Sequence, residues 1–226
     1  MIDKKRLIIA GFIACITACT GDFLTLFILG SKYPGYSQLF NTMSSLGASE
    51  SPFSAFISLW WIILGVLIIL FAFGFRAAFL PGNRYVNVAF WLLIIYGLGE
   101  GIGSGLFKAD RVYDSMTISY VIHDILGGAG VTGILVLPLV VPKTEPFKFN
   151  PVFRKFSYVV LILGTSFLVL FTFRFFGFEN NFLGKYTGLW QRLFVLVYYI
   201  YIITIAFKML RTTNKIHTQT LYKQTS

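Results

Sequence analysis

Hydrophobic residues occur along this chain in six long runs that are separated by short polar segments. Each run holds about 20 residues, the length that a helix needs to cross a lipid bilayer. The runs cover 7–29, 53–75, 85–107, 118–141, 157–177 and 189–210. Helix-breaking prolines fall between the runs, apart from Pro138 near the end of the fourth. The pattern predicts an all-α integral membrane bundle of six transmembrane helices.

The six runs leave no room for a second domain. We expect residues 1–213 to form one membrane domain and 214–226 to form a short polar tail on the cytoplasmic side. A longer polar segment, 30–52, follows the first run, and Phe40, Met43 and Leu46 occur in it at helical spacing. The spacing predicts a short helix that lies on the outer surface or folds back into the bundle.

Composition excludes a water-soluble fold. The chain has 226 residues, is 56% hydrophobic and has only 12% charged residues, with a mean hydropathy of +0.75. Soluble proteins carry about twice that share of charge. The net charge is +10, and we attribute it to basic residues in the connections between spans rather than to nucleic-acid binding.

Lysine and arginine are distributed unevenly between the two sides of the membrane. Four lie on the side of the 30–52 segment: Lys32, Lys108, Arg111 and Lys185. Many more lie on the other side, among them Lys4, Lys5, Arg6, Arg76, Arg84, Lys143, Lys148, Arg154, Lys155, Lys208 and Arg211. Because basic residues collect on the cytoplasmic side, the sequence predicts that both termini are cytoplasmic, in a multi-pass protein of the cell membrane.

Polar and ionisable residues inside the spans are the main functional clue, because each is costly in lipid. They are Asp22, Glu100, His123, Asp124, Arg174, Gln191 and Arg192. With the termini inside, all of them fall in the outer half of the bilayer. We therefore expect His123, Asp22, Glu100 and Arg192 to converge on one pocket that opens outward. Ion pairs that only join helices would be an alternative explanation.

Candidate catalytic residues are His123, Asp22, Glu100 and Asp124. His123 is the expected general base; Asp124 projects about 100° away on the same helix, so the acid that orients the ring is expected to be Asp22 or Glu100. Ser44, Ser45 or Ser104 would be the nucleophile, although no known nucleophile motif surrounds them. Whether the protein is an enzyme stays open.

Candidate substrate-binding residues complete the predicted site, with the guanidinium groups holding a phosphate or carboxylate. They are Arg174, Arg192, Gln191, Asn41, Ser44 and Ser45. We expect no metal, because only one histidine lies in a span, and no cofactor. The glycine-rich run 97–105 lacks the spacing of a nucleotide-binding loop and instead predicts two small-residue stripes for close helix contacts.

Aromatic residues make up 18% of the chain. We expect Trp60, Trp61, Trp91, Trp190 and the tyrosines at 198, 199 and 201 to lie mostly at the membrane interfaces or on the lipid-facing surface.

Three blocks of sequence resemble a known family. The first block spans 36–48 (YSQLFNTMSSLGA) and is followed by Pro52; the second is 105–107 (GLF) with Asp110. The third is 123–128 (HDILGG), together with 188–192 (GLWQR) near the end. Together they resemble the small multi-pass membrane family catalogued as domain of unknown function 998.

The order of these features is also similar to that in the eukaryotic Frag1, DRAM and Sfk1 membrane proteins. In that group Ser44, Gly47, Pro52 and His123 would be the matching positions. Some of its members are linked to the remodelling of lipid anchors and to lipid organisation in the plasma membrane. This resemblance implies a six-span fold and a function that concerns lipids.

Three functions are compatible with the sequence. The first is binding or modification of a lipid or amphiphile headgroup in the outward-facing pocket, with a membrane lipid as partner. The second is a structural or partner-binding role, in which the polar cluster is helix packing and the partner is another membrane protein or a second copy of the chain. The third is transport of a small solute.

Overall fold

The structure is a computed structural model and describes residues 3–112, 115–176 and 181–225. Within these residues, six helices are long and apolar enough to cross a membrane. We number them α1 (Lys4–Lys32), α2 (Ser54–Phe79), α3 (Arg84–Leu106), α4 (Ile118–Val140), α5 (Pro151–Thr172) and α6 (Thr187–Thr225). The chain is thus an all-α, multi-pass membrane protein, as the hydrophobic pattern predicts.

The helices differ from the predicted runs mainly at their ends. The Asp3 side chain caps α1 by accepting a hydrogen bond from the Lys5 amide, so the helix begins before the apolar run. Asn150 caps α5 in the same way and Pro151 occupies its first turn. The last helix continues to Thr225, through the segment predicted as a tail. Gly177, the predicted end of the fifth run, and Ser226 lie outside the described residues.

Short elements connect the spans. They are three 3₁₀ turns (Met43–Leu46, Val141–Lys143 and Phe173–Phe175), two short α-helices (Glu145–Lys148 and Phe182–Lys185), and a two-stranded antiparallel ribbon of β1 (Arg111–Val112) and β2 (Ser115–Met116). Met43 and Leu46 are buried and Phe40 is exposed. The segment after α1 therefore folds back into the bundle, as a 3₁₀ turn rather than an α-helix.

The six helices form a closed ring. Helix α1 packs on α2 and α6, α2 on α3, α3 on α4, α4 on α5, and α5 on α6. We call the end with the connections after α1, α3 and α5 the loop end, and the opposite end the tail end. At the tail end, Lys4 Nζ donates to the Leu80 carbonyl (3.0 Å), and Asn83 Nδ2 donates to the Lys143 carbonyl (2.7 Å).

A π-helical segment, Gly97–Gly103, interrupts α3 and carries Glu100. Its glycines allow close contact on two sides: a β-carbon at Gly101 would collide with the backbone of Gly65 on α2, and one at Gly99 would collide with Gly130 on α4. The two predicted glycine stripes therefore form two helix contacts, as expected. The π geometry itself is not evident from the sequence pattern.

The tyrosines of α6 correct one expectation from the sequence. Tyr198, Tyr199 and Tyr201 are buried, as is Trp61 on α2. Tyr201 hydrogen-bonds Ser157 on α5 (3.0 Å). The Tyr199 hydroxyl also has a partner inside the bundle, whereas the Tyr198 hydroxyl is buried without one among the described residues. Hydrogen bonds within the bundle allow Tyr199 and Tyr201 to pack there rather than at the membrane interfaces. Trp91, in contrast, is exposed as expected.

Candidate functional site

A cavity of about 320 Å³ lies in the loop-end half of the bundle. All six helices and the 3₁₀ turn after α1 contribute to its wall. Seven of the ten predicted site residues line it: Asp22, Glu100, His123, Asp124, Arg174, Gln191 and Ser44. The structure therefore brings together most of the polar residues that the sequence singles out, from four helices and two 3₁₀ turns.

Polar and apolar side chains are interspersed along the depth of this cavity. From the rise of an α-helix, Glu100 and Asp124 lie about 9 Å from the loop end of their helices, and the apolar Leu168 of α5 lies about 6 Å from it. Val131 on α4 lies about 20 Å from that end, with Tyr199 at about 18 Å and Asp22 at about 15 Å. The cavity wall is thus mixed, with apolar side chains beside the polar groups.

Asp22 ties three helices together. Its carboxylate accepts a hydrogen bond from Trp60 Nε1 on α2 (3.1 Å) and another from the Tyr199 hydroxyl on α6 (2.9 Å). Asp22 is 2% exposed. Its polar atoms are therefore committed to holding α1, α2 and α6 in place, although it also lines the cavity.

Glu100 differs from Asp22, because its carboxylate has no hydrogen-bond or ion-pair partner within the described residues. It lies beside Ser104 on the same face of α3: a β-carbon built on Gly127 would be 3.2 Å from Glu100 Oε2 and 3.6 Å from Ser104 Oγ. Ser104 is 6% exposed, and its hydroxyl also lacks a partner among those residues. Two unsatisfied polar groups thus stand together in the cavity wall.

His123 is oriented by the backbone and not by a carboxylate. Its Nδ1 lies 2.8 Å from the Phe107 carbonyl oxygen. Because a carbonyl only accepts, Nδ1 carries a proton and donates it. The expectation that Asp22 or Glu100 orients the ring is therefore wrong. In the neutral ring Nε2 is then an acceptor, and it has no partner in the described part of the chain.

Asp124 and Arg174 lie where the cavity meets an adjoining space of about 250 Å³, which Ser44 and Ser45 also line. The Arg174 guanidinium stacks over the rings of Phe171 (4.0 Å) and Phe175 (4.4 Å). Among the described residues, no ion pair joins Asp22, Glu100 or Asp124 to either arginine. Ion pairing between helices therefore does not explain this cluster.

Arg192 does not line the cavity, in contrast to its expected convergence with the other three residues. Its Nη1 donates to the carbonyls of Asn41 (3.0 Å) and Gly188 (2.9 Å), and its Nη2 donates to the Tyr36 hydroxyl. The Tyr36 hydroxyl in turn donates to the Thr42 carbonyl (3.0 Å). Arg192 thus holds the loop after α1 against α6.

The remaining predicted binding residues also belong to this loop attachment. Gln191 Oε1 accepts from the Met43 amide (2.7 Å), Asn41 Oδ1 accepts from the Ser37 amide (2.8 Å), and Ser45 Oγ donates to the Thr42 carbonyl (2.6 Å). Asn41 and Ser45 do not line this cavity; Ser45 lines the space of about 250 Å³, and both residues line a shallower space of about 360 Å³. The loop attached in this way covers the loop end of the cavity through Met43 and Ser44.

Comparison with known proteins identifies the family. The family model described as protein of unknown function DUF998 matches residues 10–208. The chain belongs to this family. The DUF998 match runs from α1 into α6 and includes every residue that lines the cavity. No curated protein and no solved structure matches the chain.

The cavity of this DUF998 chain does not hold a nucleophile next to a base. Within the described residues, neither Ser44 nor Ser104 is hydrogen-bonded to His123, and Ser44 Oγ is instead paired with Thr42 Oγ1 (2.9 Å). Those residues also contain no group of three or more His, Cys, Asp or Glu side chains that could hold a metal ion. The arrangement can bind and orient a polar group, and proton transfer through His123 Nε2 is chemically available.

Sequence reasoning missed several members of the DUF998 site. Trp61, Tyr96 and Tyr199 line the cavity, and Trp60 binds Asp22. A signal was available, because a carboxylate inside a span requires donors, and tyrosine and tryptophan are the donors that an apolar helix can carry. Tyr36, which binds Arg192, gives no comparable signal in the loop sequence.

Proposed function

We propose that this protein binds the polar end of a lipid or other amphiphile in its loop-end cavity. The observation that carries the proposal is that a carboxylate without a partner among the described residues, Glu100, shares one cavity with apolar side chains such as Val131 and Leu168. Polar groups within a membrane bundle are normally hydrogen-bonded. A ligand with a polar headgroup and an apolar chain would contact both kinds of group.

The size and the wall of the cavity support an amphiphile with a chain that leaves the protein. Its volume of about 320 Å³ is at the lower limit of ordinary ligand pockets, which suffices for a headgroup but not for a whole lipid. Gly128 lines the cavity on α4, is exposed, and has nothing within 4 Å of a built β-carbon. We propose that the chain passes between α4 and α5 at this glycine.

The loop end would face outward, so that the ligand comes from the outer leaflet of the cell membrane. Described basic residues favour this orientation, since Lys4, Arg76, Lys143, Lys148 and Arg154 lie at the tail end or close to it. The positive-inside rule then assigns the tail end to the cytoplasm.

A structural role is the second candidate, and it is favoured for two residues. Asp22 joins three helices, and Arg192 fastens the loop. Both residues make hydrogen bonds within the protein, whereas Glu100 makes none through its side chain among the described residues. A protein used only for helix packing or partner binding would leave the cavity without a specific occupant.

Native mass spectrometry of the purified protein, followed by lipid extraction, tests the proposal. Gly128→Trp places a large side chain in the open space of the cavity wall, and Ala129→Trp adds the same side chain at the exposed neighbouring position. We expect a bound lipid on wild type and Ala129→Trp that is lost from Gly128→Trp. The same lipids on all three proteins would contradict the proposal and favour the packing role.

A further inference from the structure

Burial distinguishes Ser104 from the other hydroxyl groups within the spans that lack a partner. Thr20, Thr132, Ser157 and Thr204 each donate to the carbonyl four residues earlier, at 2.7–2.9 Å, which is an ordinary way to satisfy a hydroxyl in a membrane helix. Among the described residues Thr17, Ser58, Thr165 and Ser166 make no such bond, but they are exposed or half-buried. Ser104 also makes none and is only 6% exposed, so its hydroxyl is left for the cavity.

Four polar groups in the cavity accept hydrogen bonds and have no partner among the described residues. They are the Glu100 and Asp124 carboxylates, the Ser104 hydroxyl and, in the neutral ring, His123 Nε2. Glu100 Oε2 and Ser104 Oγ lie close together, since a β-carbon at Gly127 would be 3.2 Å from the first and 3.6 Å from the second. A cavity rich in acceptors, two of them carboxylates, is complementary to a positively charged donor.

We infer that the amphiphile carries a primary ammonium group. This group would form an ion pair with Glu100 and donate hydrogen bonds to Ser104 and His123. This inference rests on the proposed function. An ammonium group has three N–H donors for these acceptors, whereas a quaternary ammonium has none. Trp61 and Tyr96 line the same cavity, and aromatic rings also attract such cations.

The Gln191 side chain and Asp22 do not compete for this role. Gln191 Oε1 is bound to the Met43 amide, and Asp22 is bound to Trp60 and Tyr199. Asp124 also lines the cavity, but it is exposed near the adjoining space. Glu100 is thus the carboxylate best placed to pair with a cation inside the bundle.

Lipid titrations followed by native mass spectrometry test the inference, with lysophosphatidylethanolamine and lysophosphatidylglycerol as probes. They differ in the amine, and the net charge of +10 on the protein would by itself favour the anionic phosphatidylglycerol form. We expect wild type to bind the ethanolamine lipid about tenfold more tightly, the effect of one charge-assisted hydrogen bond. Glu100→Gln should lose that preference and keep the phosphatidylglycerol affinity.

The matched control is Glu50→Gln, which removes a negative charge from an exposed loop position and should keep the preference. Equal affinities in wild type, or a preference that persists in Glu100→Gln with an unchanged melting temperature, would overturn the ammonium assignment. Competition with free ethanolamine distinguishes a lipid amine from a free amine as the ligand. If ethanolamine displaced the lipid at equal concentration, the ligand would not be an amphiphile and the inference would be overturned.

Lipid binding by Gly128→Trp distinguishes a failure of the ammonium assignment from a failure of the proposed function. If both lipids bind wild type equally and both are lost from Gly128→Trp, the cavity is the binding site and only the ammonium assignment is wrong. If both bind Gly128→Trp as they bind wild type, or neither binds wild type, the proposed function and the inference both fail.

Discussion

Glu100 and Gly127 face each other across the contact between α3 and α4. A β-carbon at position 127 would lie 3.2 Å from Oε2 of Glu100, whereas one at the next position, Gly128, would meet nothing within 4 Å. The space in front of the carboxylate therefore depends on the absence of a side chain at Gly127. Two adjacent glycines thus have different roles, which a pair of alanine substitutions separates.

Gly127→Ala is expected to weaken lipid binding, because its methyl group crowds the Glu100 carboxylate at the point where a ligand would pair with it. We expect a loss of about tenfold, the equivalent of one charge-assisted hydrogen bond, in a lipid titration by native mass spectrometry. Gly128→Ala should bind as wild type, because its methyl group enters open space. Equal binding by both variants would show that the Glu100 side of the cavity does not hold the ligand.

Tyr199→Phe is expected to destabilise the bundle. The variant removes the hydroxyl that donates to Asp22 (2.9 Å) and leaves that carboxylate with fewer donors in the bundle. A hydrogen bond to a charged group contributes about 1.5–3 kcal/mol, so the melting temperature in detergent should fall clearly. Tyr158→Phe, which removes a hydroxyl at an exposed position on α5, should melt as wild type. An equal fall in both variants would contradict the role of Asp22 as a tie between helices.

Arg192→Gln is expected to loosen the loop after α1. The variant removes the donors that bind the Asn41 carbonyl and the Tyr36 hydroxyl. Hydrogen–deuterium exchange should rise in residues 36–43 and stay unchanged at the tail end. Arg154→Gln, at an exposed position at the start of α5, is the matched charge control and should leave exchange in the loop unaltered. Protection of the loop in Arg192→Gln equal to that in wild type would argue against the attachment.

The Tyr36 attachment should be insensitive to pH over the neutral range. Burial raises the pKa of the Tyr36 phenol, and this outweighs the nearby Arg192 guanidinium, which lowers it. A raised pKa means that the stability contributed by the protonated phenol is complete below its ordinary value of about 10 and is lost only above it. The stability difference between wild type and Tyr36→Phe should thus be the same at pH 6 and pH 9. A difference that shrinks between those values would mean a lowered pKa.

Orientation in the membrane is testable with introduced cysteines. Glu50 at the loop end and Lys148 at the tail end are both exposed, and the native Cys15 and Cys19 are buried in α1, which limits background labelling. We expect a membrane-impermeant maleimide to label Glu50→Cys in intact cells and to label Lys148→Cys only after the membrane is opened. The reverse pattern would place the loop end in the cytoplasm.

The sequence predicted the structure correctly where a residue type can occupy only one kind of environment in a membrane protein. Apolar runs of this length predict spans, and a stripe containing Gly97 and Gly101 predicts a close contact, which the structure shows against Gly65. Ionisable residues such as Glu100 and His123 had to face the interior, because lipid does not solvate them. Their convergence on one cavity could therefore be predicted without knowing the helix arrangement.

Partners that depend on three-dimensional detail could not be predicted. Arg192 had the chemistry of a ligand-binding residue, but its guanidinium reaches backbone carbonyls in a loop whose path the sequence does not specify. His123 is oriented by the Phe107 carbonyl. Every residue has a backbone carbonyl, so the sequence does not indicate which one serves as the acceptor. The π segment likewise depends on packing against α2 and α4.

Photo-crosslinking tests the central claim most directly. A lipid with a primary amine in its headgroup and a diazirine on its acyl chain would be irradiated with the protein in nanodiscs, and the adducts would be mapped by mass spectrometry. The account predicts adducts on Val131 and Leu168, two apolar residues of the cavity wall, that are lost from Gly128→Trp and kept in Ala129→Trp. Adducts confined to lipid-facing residues such as Ile125 and Ile162, and unchanged by Gly128→Trp, would contradict it.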